Sequence, residues 1–151
     1  HRDLHSFPTR RSSDLVITIS DSGTSNINDT NKLRIIIPND LGAVFDTDIA
    51  TVIVGGANGD GVTTTWNVTY ENSNKTAVIS VSPSPITLGN TTLDGLKLEE
   101  TFSASSGSLG LSWNGSSTVA GATDNKVITI TAVNYTWKSS GTTSTWSTGS
   151  N

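Results

Sequence analysis

The chain contains no cysteine and no methionine, and its only histidines are His1 and His5. Without cysteine there is no thiol nucleophile, no disulfide staple and no thiolate metal ligand. No apolar run approaches the roughly eighteen residues that a membrane-spanning helix requires. Lys and Arg number 9 against 13 Asp and Glu in 151 residues, a formal net charge of −4, and that balance leaves no electrostatic footprint for nucleic acid. Nucleic-acid binding and membrane insertion are therefore not expected. Nor do apolar residues keep a helical period over even three turns, so almost no helix is expected. What the chain has in abundance is Ser and Thr, 46 of 151 residues, beside 36 Leu, Ile, Val and Phe. The aliphatic share exceeds that of a disordered chain, and the length suits one domain with a real core.

Residues 1–15, HRDLHSFPTRRSSDL, break from this pattern. They hold both histidines and three of the nine basic residues. A secretory leader would need an apolar stretch of about seven or more residues, and the segment has none. At every position it resembles one reading frame of a common short-read sequencing adapter. The resemblance implies that residues 1–15 are non-native and disordered, and they carry no weight in the functional reading. Val16–Asn151 then has 6 basic and 11 acidic residues and no histidine. With no methionine to mark a start, the expectation is a fragment of a gene from environmental or bulk sequencing.

From Val16 onward, short runs alternate between apolar and polar residues, separated by Gly, Asn, Asp and Ser clusters. Val16–Ser20, Lys32–Ile37, Thr51–Val54, Thr63–Glu71, Ala77–Val81, Leu96–Phe102, Leu109–Trp113 and Lys126–Ala132 read as strands. About eight strands without intervening helices predict an all-β, antiparallel β-sandwich or barrel. Residues 16–133 form the predicted module. Residues 134–151 contain no aliphatic residue and are expected to be a disordered tail or the truncated start of a following module. Several segments, VITISDSGT, NKLRIIIPNDL, FDTDIATVIVGG, WNVTYENSNKTAVISV, ITLGNTTLDGLKL and TDNKVITI, resemble an immunoglobulin-like β-sandwich repeat of large secreted or surface proteins of bacteria. The spacing fits the whole module except a first strand. Trp137, Trp146 and Asn151 resemble the opening of a different module in such proteins. These resemblances imply an extracellular or cell-surface, adhesin-like spacer whose partners are neighbouring modules, with glycans or other surface proteins as further candidates.

The chemistry on offer is thin. Ser-His-Asp and Cys-His machinery need residues that Val16–Asn151 does not contain, and histidine metal sites fall with them. Two-carboxylate hydrolysis would draw on Glu71, Glu99 and Glu100. Glu71 abuts a predicted turn, however, and adjacent Glu99 and Glu100 point to opposite faces of a strand. Asn58–Gly61 lacks the Lys-Ser/Thr and helix of a phosphate loop, so it is read as a hairpin loop. Calcium is the one cofactor to consider: Asp40, Asp46 and Asp48, near Asn39 and with Asp60 further on, are its candidate ligands. Their spacing matches no EF-hand, and Asp is also an ordinary turn residue. Trp66 and Trp113 are expected in the core rather than on a sugar-binding face. Six Asn-x-Ser/Thr sequons, at Asn28, Asn67, Asn74, Asn90, Asn114 and Asn134, are close to chance for this composition. Lys32 and Lys126, the lysines considered for a Lys–Asn crosslink, are expected to face outward. The reading is a non-enzymatic module with no catalytic, cofactor or metal residues. The alternative is a carbohydrate- or calcium-binding accessory module of a secreted enzyme.

Overall fold

The computed structural model describes residues 12–21, 27–28, 30–82, 85–87, 89–100, 104–118, 120–131, 135–139 and 142–146. Among these residues there is no helix. Thirteen strands follow one another: β1 (Ser12–Asp21), β2 (Leu33–Ile36), β3 (Ala43–Phe45), β4 (Thr51–Gly56), β5 (Thr65–Glu71), β6 (Thr76–Ile79), β7 (Gly89–Glu100), β8 (Ser105–Gly107), β9 (Gly110–Ser112), β10 (Ala122–Thr123), β11 (Ile128–Ile130), β12 (Tyr135–Ser139) and β13 (Thr142–Trp146). Nine of them form one curled antiparallel sheet in the order β1-β7-β4-β5-β6-β2-β9-β10, with β3 also paired to β7. β8 with β11, and β12 with β13, make two small antiparallel pairs.

The alternation in the sequence accounts for the way the sheet curls around a core. In β4, Val52 and Val54 are fully buried while Thr51 and Ile53 face out. In β5, Trp66 and Val68 go in while Thr65, Asn67 and Thr69 go out. Period-two alternation puts every second side chain on one face, and these faces converge with Leu33, Ile35, Phe45, Ile79, Leu93, Leu96 and Leu98 in one contiguous cluster. β5 is the seam. Its first residues pair with β4, Thr65 opposite Ile53, and its last pair with β6, Glu71 opposite Thr76.

β7 is the spine. β1 runs antiparallel along its whole length on one side, while β4 and β3 divide the other. The register with β1 slips between Leu15 and Val16: Leu15 faces Leu96 and Val16 faces Asp94, leaving Gly95 as the extra residue. Gly95 has φ +106°, which a side chain would resist and glycine adopts freely. The bulge explains how Leu93, Leu96 and Leu98 are all buried despite their uneven spacing.

Five strands were not anticipated, namely β3, β8, β10, β12 and β13, and β7 begins seven residues before Leu96. Among the described residues there are thus thirteen strands, eleven of them, β1 to β11, in the region where about eight were expected. β3, β8 and β10 are only two or three residues long, too short to show alternation. β1 starts at Ser12, so the last four residues of the adapter-like segment are paired with β7; the rest of that segment lies outside the described residues. Residues 134–151 contain the β12–β13 pair, and the side chains of Trp137 and Trp146 lie outside the described residues.

Candidate functional site

Among the described residues the sheet does not close. β1 ends it on one side and β10 on the other, and a groove of about 470 Å³ lies between them. One wall is Val16–Ser20 of β1, the other is Leu109–Leu111 and Ala122–Lys126, and Ile35 lies beneath. Val16 is 67% exposed, whereas Ile19 is buried in the core. Asp124 and Lys126 are the ionisable residues among those lining the groove, and the backbone N–H of Lys126 donates to the Asp124 carboxylate at 3.0 Å. A volume of this size is in the range of small-ligand clefts. Its walls, however, are open backbone edges and short apolar or hydroxyl side chains rather than converging polar groups. Among the described residues lining it, Asp124 is the one carboxylate.

Other polar side chains are committed to holding the backbone. Asn58, in the loop between β4 and β5, is 7% exposed. Its amide donates to Thr87 O at 3.0 Å and Thr91 Oγ1 at 2.7 Å, and its carbonyl accepts from Thr87 N at 2.7 Å. A buried amide fully satisfied in this way fixes the loop against the start of β7. Next to it, a Cβ on Gly59 would sit 2.0 Å from Val54 O, so only glycine fits. Asp60 accepts from the N–H groups of Val62, Thr63 and Thr64 at 2.8–3.0 Å and from the Thr63 hydroxyl. These bonds, the Thr63 hydroxyl first, hold its carboxyl well below the usual carboxylate range. The segment is thus a built hairpin loop.

A second cluster lies across β2, β5 and the connection after β9. Arg34 reaches Glu71 at 3.4 Å and donates to Asn31 O at 2.7 Å. Ser117 donates its hydroxyl to Glu71 and accepts from Thr76 Oγ1 at 2.6 Å through its backbone oxygen. Glu71 is shifted below its ordinary value, chiefly by the Ser117 hydroxyl, with burial opposing and Arg34 helping. Lys75 donates to Leu41 O at 2.5 Å and Pro38 O at 3.4 Å; burial lowers its pKa, and nearby Asp40 opposes that shift. Tyr70 donates to Ile49 O at 2.6 Å, and burial together with Asp46 pushes it up to about 12.

Of the calcium candidates, Asp40 lies in one turn and Asp46 and Asp48 share another. Asp40 is exposed in the turn beside Lys75. Asp46, following β3, accepts the backbone N–H of Asp48 at 3.0 Å, a self-contained Asx arrangement. Asp60 is the loop cap described above. Among the described residues, no three His, Cys, Asp or Glu side chains are grouped as metal ligands. Trp66 is 1% exposed and its indole N–H donates to Ser82 O, while Trp113 is half-buried against the core and Gly121. Both tryptophans are therefore core elements. Glu71 ends β5 at the turn, and Glu99 and Glu100 are half-buried opposite Val44 and Ala43. Lys126 is exposed; Lys32 is half-buried, with φ +55° just before β2. Of the sequons, Asn67, Asn74, Asn90 and Asn114 are exposed, Asn28 is half-buried, and Asn134 lies outside the described residues.

Sequence reading missed the structural work of Asn58 and the Arg34–Glu71–Ser117 cluster. The four-residue run Asn-Gly-Asp-Gly was the one local signal for the first; the second joins positions 37 and 46 residues apart and has no local signature. No protein-family model matches the chain, and neither the curated proteins nor the solved structures contain a match.

Proposed function

We propose that the chain is a non-catalytic structural or adhesive module of a large extracellular or cell-surface protein, built as an immunoglobulin-like β-sandwich. The observation that carries this reading is where the chemistry-bearing side chains go. Asn58, Asp60, Glu71, Arg34, Lys75 and Tyr70 each bond backbone or loop partners, and the large side chains fill one continuous core. What faces outward is mostly Ser, Thr and Asn, a strand surface that stays wet with few charges. The change of partner within β5 supports a sandwich, because it divides the sheet into a β1-β7-β4 half and a β6-β2-β9 half around that core. Antiparallel pairing between segments distant in sequence suits a load-bearing spacer, since many hydrogen bonds must be lost together.

Single-molecule stretching of the full chain tests the proposal, alongside melting with and without calcium and retention on immobilised glycans. A mechanical module unfolds in one cooperative event and refolds on release, with no change in melting temperature on adding calcium. A calcium-dependent rise, or glycan retention abolished by substitutions in the β1–β10 groove, would replace this reading with the accessory-binding one.

A further inference from the structure

The chain contains two Asn-Gly pairs, Asn58–Gly59 and Asn114–Gly115, and the fold treats them in opposite ways. An Asn followed by glycine is the pair most prone to spontaneous deamidation, because no side chain shields the glycine nitrogen from the amide carbon before it. We propose that Asn114 is a deamidation and isoaspartate site, whereas Asn58 is protected by the fold.

In the reaction, the Gly115 backbone nitrogen loses its proton to solvent base and attacks Cγ of Asn114, forming a C–N bond. The C–Nδ2 bond then breaks and ammonia leaves with a proton, closing a succinimide. Solvent water opens the ring on either side. One opening leaves an ordinary aspartate at the position; the other routes the main chain through Cβ as isoaspartate. No oxidant, metal or enzyme is required.

Asn114 and Gly115 are exposed, and nothing lies within 4 Å of where a Gly115 Cβ would stand. No other part of the fold packs against Gly115 as Val54 packs against Gly59. Asn114 Oδ1 already accepts from Ser112 Oγ at 2.8 Å and from Ser116 N at 3.1 Å. As the nitrogen attacks, that oxygen gains negative charge, and donors already in place favour the charged intermediate. Asn58 also has a donor on its carbonyl oxygen, Thr87 N at 2.7 Å, but differs at its amide nitrogen and at its glycine. Its leaving amide is tied to Thr87 O and Thr91 Oγ1, and Gly59 is wedged 2.0 Å from Val54 O at the Cβ position. The ring cannot close there without displacing β4.

The consequence is local and directional. The aspartate product keeps an acceptor for Ser112 and Ser116. The isoaspartyl product lengthens the main chain just before Ser117, whose contacts with Glu71 and Thr76 tie the connection after β9 to β5 and β6. Asn114 thus marks where slow covalent ageing would loosen one wall of the β1–β10 groove.

Peptide mapping by mass spectrometry, with isoaspartyl methyltransferase labelling, of the full chain held folded at mildly alkaline pH provides the test. Asn114 is expected to convert at least about tenfold faster than Asn58, a barrier difference of about 1.4 kcal/mol. In concentrated denaturant the two rates should converge. S112A should slow conversion at Asn114 several-fold; if it unfolded the chain instead, Asn58 would accelerate and reveal the fact. Equal rates at both sites in the folded chain would overturn the proposal. So would an Asn114 that stays intact while a short unstructured peptide of the same local sequence converts, and an unchanged rate in folded S112A would remove the role given to the Ser112 hydroxyl.

Discussion

Asn58 is the side chain whose loss should cost the fold most for its size. Its three hydrogen bonds are each worth about 0.5–1.5 kcal/mol, and truncation also strands the Thr87 and Thr91 groups that face it. Asn58→Ala should therefore lower unfolding free energy by about 3 kcal/mol in urea titration, and a loss below about 0.5 kcal/mol would contradict the stapling role. Tyr70 gives a pH signature. Its folded-state pKa, pushed up to about 12, lies above the ordinary value of 10.0, so the protonated phenol favours the folded state. That contribution is fully present below pH 10 and is lost as pH rises towards 12. Tyr70→Phe should be less stable than the parent by about 1 kcal/mol at neutral pH, for want of the bond to Ile49 O. The gap should shrink in alkaline solution, and a gap constant to pH 12 would show that folding does not raise the phenol's pKa. Asp60 runs the other way. Its hydrogen bonds depress its pKa, so stability should begin to fall as pH drops below about 4, the unfolded carboxylate range. Asp60→Asn should lose that acid sensitivity.

The hairpin joining β5 to β6 is held by three consecutive residues in left-handed conformation, Asn72 (φ 52°), Ser73 (φ 52°) and Asn74 (φ 64°). Asn tolerates that region, but Ser73 carries a strain of about 1–2 kcal/mol that glycine would relieve, less about 0.5–1 kcal/mol for glycine's freer unfolded chain. Ser73→Gly, at an exposed position, should raise the urea midpoint by an amount worth about 0.5–1 kcal/mol with an unchanged slope; a lowered midpoint would mean that the turn is not strained. This hairpin was legible in the sequence because β5 alternates cleanly, Ala77, Ile79 and Val81 share one face of the following run, and a stretch of Asn and Ser separates the two. β2, β4 and β5 were legible for the same reason. The first half of β7 was not. Gly89 and Asn90 read as turn residues, and the extra residue Gly95 shifts the alternation, so Leu93 falls out of phase with Leu96 and Leu98. β3, β8 and β10 exist by tertiary pairing rather than by any pattern of their own. The same holds for the site. Trp66 could be assigned to the core from its strand face, and Asp46 and Asp60 could be suspected as turn residues. The groove between β1 and β10 depends on how far the sheet curls, which no local pattern encodes.

At the scale of the molecule, the two ends of the curled sheet are unequal. β10 is two residues long and offers little for another chain to pair with. β1 is ten residues, contains neither Lys nor Pro, and carries no bulge of its own, since the extra residue at the slip belongs to β7. Long, regular, uncharged edges are templates for strand addition, and proteins blunt them with charge, proline or bulges. Asp14 lies opposite Lys97, their side chains 3.7 Å apart, but that exposed pair is worth little, and beyond it the run Val16–Ser20 carries no charge. The 67% exposure of Val16 in this run places an apolar side chain at the rim of the groove. The chain should therefore self-associate through β1 as concentration rises. Val16→Lys places a charge on the edge at a position where little burial is lost, so stability should change by no more than about 0.5 kcal/mol. Sedimentation velocity over a concentration series should show the parent shifting to larger species and Val16→Lys remaining at the monomer value. If the two sediment alike at every concentration, the open edge is not a pairing surface. If Val16→Lys instead lowers the unfolding midpoint well beyond that margin, Val16 is buried in solution, and the groove is closed by a segment that covers β1.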